Sequence, residues 1–170
     1  MQLIGNNRNM LIESKLAEKF LFEYQLVMTY INNGKIPEGL ADFVALRDEL
    51  YVCVSEVKAN MSHAVSSELL ESLENAIYGR FIYLKKYKDG YVFLHPDSNQ
   101  YYQVKGLTSP IEEMCPEYSV VDTAILPFSD ELICDGLLVP FNASFGSAIK
   151  KEFRDGYWLA KKSGTLIKIA

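Results

Sequence analysis

The fold is decided by two adjacent β-forming stretches, Val120-Val121-Asp122-Thr123-Ala124-Ile125-Leu126-Pro127-Phe128 and Leu132-Ile133-Cys134-Asp135-Gly136-Leu137-Leu138-Val139. β-Branched and large apolar residues dominate both, and a short polar break separates them, so the pattern predicts two strand regions. Both lie in a segment with seven acidic residues between positions 109 and 140 and no basic residue between Lys105 and Lys150. The sequence therefore indicates an acidic β-structured core flanked by basic and helical parts.

Shorter strands precede this core. A hairpin turn at Lys88-Asp89-Gly90 connects Phe81-Ile82-Tyr83-Leu84 to Tyr91-Val92-Phe93-Leu94, because an Asp-Gly pair between apolar runs favours a tight turn. A second turn at residues 96–99 leads to a tyrosine-rich strand at residues 101–104. Tight turns between short strands favour a meander or a small, partly closed barrel.

Helical periodicity dominates the first part of the chain. Apolar residues recur at three- and four-residue spacing over residues 8–31, and Asn32-Asn33-Gly34 provides a left-handed stop. A second helix is predicted to begin at Pro37, which is favoured early in a helix. A third helix follows the cap candidates Ser66-Ser67 and is predicted to end near Gly79.

The order of these elements predicts an α+β fold. It consists of about three N-terminal helices packed on a small antiparallel sheet or partly closed barrel of about six strands, with a C-terminal helix at residues 147–162. A closing strand is predicted at residues 165–169. We expect residues 1–170 to form a single domain with a helical lobe at 1–78 and a β-rich lobe at 79–170, and two subdomains hinged between these lobes are the alternative.

The charge of the chain is unevenly distributed. The net charge is −5, and residues 1–78 hold six basic and eleven acidic side chains, whereas residues 79–170 hold eleven of each. Because phosphate neutralisation supplies most of the affinity for nucleic acids, this acidity argues against a dedicated nucleic-acid binder. The sequence contains no signal-peptide pattern and no apolar run of about 18 residues, so a cytoplasmic location without membrane association is expected.

The cysteines and histidines do not form a pattern typical of a metal or redox site. Cys53, Cys115 and Cys134 are widely and irregularly spaced, so small buried hydrophobes are expected, with a Cys115–Cys134 bridge as the alternative. Neither His63 nor His95 has a second ligand at metal-binding spacing. No metal and no cofactor are predicted.

Five segments of the β-rich half occur in this order: Gly79-Arg80-Phe81-Ile82-Tyr83-Leu84-Lys85-Lys86-Tyr87, Val104-Lys105-Gly106-Leu107-Thr108-Ser109-Pro110-Ile111-Glu112-Glu113, Leu126-Pro127-Phe128, Cys134-Asp135-Gly136-Leu137-Leu138 and Ser144-Phe145-Gly146. In these segments the chain resembles a family of uncharacterised bacterial proteins in which a helical N-terminal part precedes a β-rich part. The resemblance covers roughly residues 38–165. It implies a bacterial or mobile-element source, and it implies no activity, cofactor or catalytic residue.

One candidate binding surface alternates basic and aromatic residues on predicted strands. Sheets that stack bases and attract phosphates have this composition. The alternative is that the aromatic residues pack across strands while the lysines protect a sheet edge. The candidate residues are Arg80, Tyr83, Lys85, Lys86, Tyr87 and Tyr91.

Two further candidates lie in or after the acidic core. Asp135 precedes Gly136 among apolar residues, so its carboxylate is expected either to accept backbone hydrogen bonds across its own turn or to serve a hydrolase. Ser144 precedes the last helix, whose first turn carries Lys150-Lys151, and this arrangement fits a nucleophile, an anion site or a simple helix cap.

The leading functional hypothesis is a non-enzymatic protein that binds another macromolecule, in the first place another protein. This hypothesis rests on three features of the sequence: it has few residues of catalytic types, it is rich in aromatic residues, and its charges are segregated into patches that recognition can use. The first alternative is a nucleic-acid or nucleotide binder that uses the Tyr/Lys-rich strands, and the second is a hydrolase that uses Asp135 or Ser144. The sequence leaves the oligomeric state open.

Overall fold

The computed structural model of the protein describes residues 10–168. Four helices come first, a curled sheet follows, and a fifth helix lies near the C-terminus. The helices are α1 (Ser14–Ile31), α2 (Leu40–Val52), α3 (Val54–Asn60), α4 (Ser67–Glu74) and α5 (Ser147–Ser163). The strands are β1 (Ile77–Tyr87), β2 (Gly90–His95), β3 (Gln100–Val104), β4 (Ser119–Phe128), β5 (Glu131–Cys134) and β6 (Val139–Pro140), with a 3-10 turn at Ile111–Glu113 between β3 and β4.

The sheet is antiparallel and has the order β3-β2-β1-β4-β5, with the short β6 beside β4. β1, β2 and β3 follow one another through tight turns, and β4 returns to lie beside β1, which is a Greek key. A parallel bridge between Lys105 and Ile133 joins the two ends of the sheet. In this bridge the Lys105 nitrogen donates to the Leu132 carbonyl at 2.8 Å, and the Cys134 nitrogen donates to the Lys105 carbonyl at 3.1 Å. The sheet is therefore a small, partly closed barrel.

Alternate side chains of every long strand fill the inside of this barrel. Phe81 and Phe93 meet edge to face there with ring centroids 6.2 Å apart, and Ile111 of the 3-10 turn is fully buried in the same cluster. The other members are Met10, Tyr83, Tyr91, Tyr102, Val104, Cys115, Val121, Ile125, Leu132 and Cys134. The barrel interior is thus a solid, aromatic-rich core.

Two helical layers cover the outside of the barrel. The first four helices pack on the outer face of β4 and β5, where Phe128 meets Phe20 of α1 at 5.3 Å between ring centroids. The outer face of β1, β2 and β3 buries Leu84 and Val92 beneath Tyr157 of α5. The strands are consequently buried on both sides, which explains their nearly continuous apolar runs.

The predicted α+β fold, with N-terminal helices, an antiparallel sheet and a C-terminal helix, is confirmed, but the helix boundaries differ. α1 begins at Ser14, because the residues before it pair with the barrel: Ile12 donates to the Gly106 carbonyl at 3.0 Å. Residues 8 and 9 lie outside the described part. The predicted second helix begins at Leu40, not Pro37, and a break at Cys53 divides it into α2 and α3.

The predicted end of the third helix is wrong: the helix ends at Glu74, and Ile77 lies in β1 opposite Ile125. Within the second β stretch, the turn that the sequence offers at Asp135-Gly136 does form, because Gly136 adopts φ 82° and turns the chain after β5. At the C-terminus, Ile167 forms a single parallel bridge to Tyr102, and residues 169–170 lie outside the described part.

Candidate functional site

Helix α5 is held against the barrel by a close contact that requires a glycine. Gly156 faces Tyr101 so closely that a β-carbon at this position would lie 2.1 Å from the tyrosine hydroxyl oxygen. That hydroxyl donates to the Phe153 carbonyl at 2.9 Å. The helix ends at Gly164 with φ 77°, as its sequence predicts. These contacts fix which side of α5 faces the solvent.

The solvent-facing flank of α5 is basic and carries the single tryptophan of the chain. At 3.6 residues per turn, all five basic residues of the helix fall within about 120° of arc together with Trp158. Trp158 is 53% exposed, although apolar side chains of this size are usually buried. The residues of this flank are Lys150, Lys151, Arg154, Trp158, Lys161 and Lys162.

Aromatic contacts connect this flank to the end of β1. The ring of Trp158 meets that of Tyr87 edge to face at 5.8 Å, and Tyr87 in turn packs on Tyr157 at 4.0 Å. Lys161 lies 5.3 Å from the Trp158 ring, and Lys85 lies 5.7 Å from the Tyr87 ring. Burial raises the pKa of the Tyr87 hydroxyl above its ordinary value, so the ring stays neutral among these cations.

Tyr118 is itself buried and supports the basic residues at the start of α5 from below. This residue has a left-handed backbone, φ 61°, immediately before β4. Arg154 donates to its hydroxyl oxygen at 3.1 Å, and Lys150 lies 5.4 Å from its ring. This hydrogen bond raises the pKa of the Arg154 guanidinium, which stays charged. We call this surface the basic aromatic face and define it as Lys85, Tyr87, Tyr118, Lys150, Arg154, Trp158 and Lys161.

The predicted base-stacking platform does not lie on the surface. Tyr83 and Tyr91 point into the barrel and are 0% exposed, and Tyr101 and Tyr102 are also buried. Because the sheet curls, the residues that alternate toward the inside of β1, β2 and β3 are enclosed. These tyrosines are therefore core residues, in agreement with the cross-strand packing alternative.

The remaining basic candidates are dispersed. Arg80 lies 4.0 Å from the ring of Phe141 at the β4 side of β1. Lys86 forms an ion pair with Glu112 at 3.3 Å beside the 3-10 turn. Lys151 lies on the flank of α5 and pairs with Asp155 at 2.8 Å. Of the residues predicted from the basic and aromatic strand, only Lys85 and Tyr87 belong to the basic aromatic face.

Asp135 lies at the centre of a buried polar network. Its carboxylate accepts hydrogen bonds from Arg47 at 3.1 and 3.0 Å, from the Leu137 nitrogen at 3.0 Å and from Thr123 at 3.2 Å. The Tyr24 hydroxyl lies 3.5 Å away. Complete burial raises the pKa of the Asp135 carboxyl, against the opposing effect of Arg47 and the hydrogen bonds. The hydrogen bond from the Leu137 nitrogen is the backbone contact across the turn at Asp135 that the sequence predicts.

The structure does not bring Asp135 and Ser144 into one accessible cleft. The Asp135 side chain is 0% exposed and closed off by Arg47, whereas Ser144 is exposed in the connection between β6 and α5. His63 is also exposed, and His95 bonds to Ser98 at 2.7 Å. Within residues 10–168, no group of three or more His, Cys, Asp or Glu side chains is placed to hold a metal ion.

Sequence reasoning did not identify Trp158, Tyr118 and Arg47 as important. Trp158 could have been found, because it lies off the apolar stripe of the predicted last helix and among its lysines, where an aromatic side chain has no reason to be buried. Tyr118 and Arg47 act through partners 36 and 88 positions away, and no local pattern indicates such contacts.

Comparisons with known proteins found no match: no protein-family model, no curated protein and no solved structure matches the chain. Among the described helices, none combines the length and the apolar character needed to cross a membrane. The geometry of the site is therefore the basis for a functional proposal.

Proposed function

We propose that this protein is a non-enzymatic binding protein that uses the basic aromatic face to bind another protein. The observation that carries this proposal is the position of Trp158, which is half exposed on the basic flank of α5 with Lys161 5.3 Å from its ring. Tryptophan, tyrosine and arginine are the residues that most often dominate binding energy at protein interfaces. Exposing a tryptophan to water is unfavourable, and a partner that covers it regains that free energy.

The placement of the catalytic candidates supports binding over hydrolysis. Asp135 accepts four hydrogen bonds in the core, and its donors leave no open side for a substrate. Ser144 has neither a histidine nor a buried acid beside it among the described hydrogen bonds. A nucleophile needs a base within hydrogen-bond reach, so neither residue has the surroundings that the hydrolase hypothesis requires.

Two observations favour a protein partner over a nucleic acid. Five-stranded, partly open Greek-key barrels of the oligonucleotide-binding type bind their ligands on the outer face of the second and third strands. Here α5 covers that face, with Tyr101 pressed against Gly156. Tyr83, Tyr91 and Tyr102, three of the tyrosines that could stack bases, are inside the barrel.

The proposal places the protein in the bacterial cytoplasm. The three cysteines are free thiols, and two of them are buried, which fits a reducing compartment. The bacterial or mobile-element source rests on the sequence resemblance described above.

Site-directed photo-crosslinking in bacterial cells tests the proposal. A benzophenone amino acid at position 162 lies on the exposed flank of α5, and the same residue at position 52 replaces Val52, which is 88% exposed on the helical lobe. We expect a discrete protein adduct from position 162 that is lost when Trp158→Ala is added. We expect no such adduct from position 52.

The nature of the adduct decides between the alternatives. A nuclease-sensitive adduct at position 162 would favour the nucleic-acid hypothesis. Adducts that are the same at both positions, or that persist in the Trp158→Ala variant, would refute the basic aromatic face as the binding surface.

A further inference from the structure

We infer that the partner presents an acidic segment, a row of carboxylates with an apolar side chain among them, to the basic aromatic face. This inference rests on the proposed function and names the chemistry of its partner. It starts from the contrast between this face and the rest of the molecule: α5 carries five basic and two acidic residues, although the whole chain is acidic. A local positive surface on an acidic protein selects a complementary negative one.

The spacing of the cations defines the length of the segment. Lys150 and Lys161 are separated by three turns of helix, or about 16 Å at 1.5 Å per residue, and Arg154 lies between them on the same side. Lys150 and Arg154 lie beside the ring of Tyr118, and Lys161 lies beside the ring of Trp158. Contact with these rings limits the motion of the long side chains, so less rotamer entropy is lost when carboxylates bind.

The aromatic residues define the apolar part of the segment. Trp158 and Tyr87 meet edge to face and form one apolar step between Lys85 and Lys161, in which Trp158 is exposed and Tyr87 is partly buried. A leucine or phenylalanine of the partner would cover this step while its neighbours meet the lysines. Phosphodiester backbones lack such an apolar group, and bases would find only this one step to stack on.

Fluorescence titration with synthetic peptides tests the inference, because Trp158 is the single tryptophan and reports from the face itself. The probe is a peptide of Glu-Glu-Leu repeats. Its controls are Gln-Gln-Leu repeats and oligo-dT of similar length. We expect the acidic peptide alone to shift Trp158 emission, with at least a ~10-fold loss of affinity between low salt and about 0.5 M salt.

Charge variants provide the second arm. Lys150→Glu with Lys161→Glu should weaken binding of the acidic peptide by at least about 10-fold, and the neutral pair Lys150→Gln with Lys161→Gln should weaken it less. The matched control, Lys15→Glu with Lys35→Glu, makes the same charge change at exposed positions of the helical lobe and should leave binding nearly unchanged. Circular dichroism verifies that each variant is folded.

The outcomes separate this inference from the proposed function. The acidic segment would be overturned if the glutamine peptide bound as tightly as the acidic peptide. It would also be overturned if the Lys15/Lys35 control lost as much affinity as the Lys150/Lys161 variant. In either case a protein adduct at position 162 would still support a binding protein. Tighter binding of oligo-dT than of the acidic peptide would also overturn it and would favour a nucleic-acid partner. Absence of a protein adduct from position 162 in the otherwise unchanged protein would refute the proposed function.

Discussion

Arg47 and Asp135 form a fully buried ion pair that joins α2 to the end of β5, 88 positions along the chain. Arg47 also donates to the Leu137 carbonyl and to the Asp122 carbonyl, the latter at 3.3 Å, and its guanidinium lies 5.0 Å from the ring of Tyr78. One side chain of the helical lobe thus contacts four places on the barrel. This arrangement holds the two lobes in one packed unit.

Removing one partner of this ion pair should destabilise the protein strongly. Arg47→Met leaves the Asp135 carboxylate buried without its cation, which typically costs about 3–5 kcal/mol. Urea denaturation of the wild type, Arg47→Met, Asp135→Asn and the double variant measures this cost. We expect the double variant to lose less than the sum of the single variants by at least ~1 kcal/mol. Additive losses would show that the pair is not coupled.

The close contact between Gly156 of α5 and Tyr101 of the barrel predicts that a single methyl group added at Gly156 destabilises the protein. Gly156→Ala places its β-carbon against Tyr101 and should cost about 1–3 kcal/mol through overpacking. Gly146→Ala is the matched control, because no atom lies within 4 Å of its added β-carbon. Thermal unfolding monitored by circular dichroism compares the two variants. If Gly156→Ala is as stable as Gly146→Ala, α5 is not held in the way described.

The thiols should differ sharply in reactivity. Cys53 is partly exposed, whereas Cys115 and Cys134 are buried, and burial raises their pKa to about 11 and about 12. Because the thiolate is the reactive form, Cys53 should react first with a thiol reagent at pH 8. Mass spectrometry before and after denaturation counts the modified thiols. Equal labelling of all three thiols in the native protein would contradict the burial of Cys115 and Cys134.

Stability should fall at alkaline pH. Burial raises the pKa of Tyr24, Tyr51 and Tyr83 well above 10 in the folded protein. Since the unfolded tyrosines ionise near pH 10, this contribution to stability is fully present below about pH 10 and is lost as the pH rises above it. Absorbance at the tyrosinate band and circular dichroism should therefore change together. Ionisation of these tyrosines without loss of structure would disprove their enclosure.

The elements of the fold could be predicted because their signals are local. Helical spacing identified α1 and α5, and the pairing of Ser66 with the Leu69 nitrogen at 3.2 Å shows that one of the two cap candidates indeed begins α4. The β1–β2 hairpin forms at the predicted turn, with Lys88 and Asp89 as its two loop residues and Gly90 paired with Tyr87. Boundaries failed where tertiary contacts overrode local preference, as at Ile12, which bonds to the barrel instead of extending α1.

The candidate site could be predicted only in part. Lys85, Tyr87 and Lys150 were selected from the sequence and do lie on the basic aromatic face. Tyr83 and Tyr91 were selected by the same reasoning and lie in the core. Tyr83 and Tyr87 are four positions apart and would share a face of a regular strand, but the register of β1 shifts between Tyr83 and Lys85, so the two side chains lie on opposite faces. The strand pattern in the sequence does not predict this irregularity.

Composition and periodicity alone established an acidic α+β protein with helices at both ends of a curled antiparallel sheet. These properties follow from hydrogen bonding and side-chain direction within a few residues of each position. The closure of the barrel, the burial of the tyrosines and the pairing of Arg47 with Asp135 depend on chain segments that meet only after folding. The direction of a side chain is a local property, whereas its burial depends on the packing of distant elements. That packing leaves Trp158 exposed to solvent and buries Asp135.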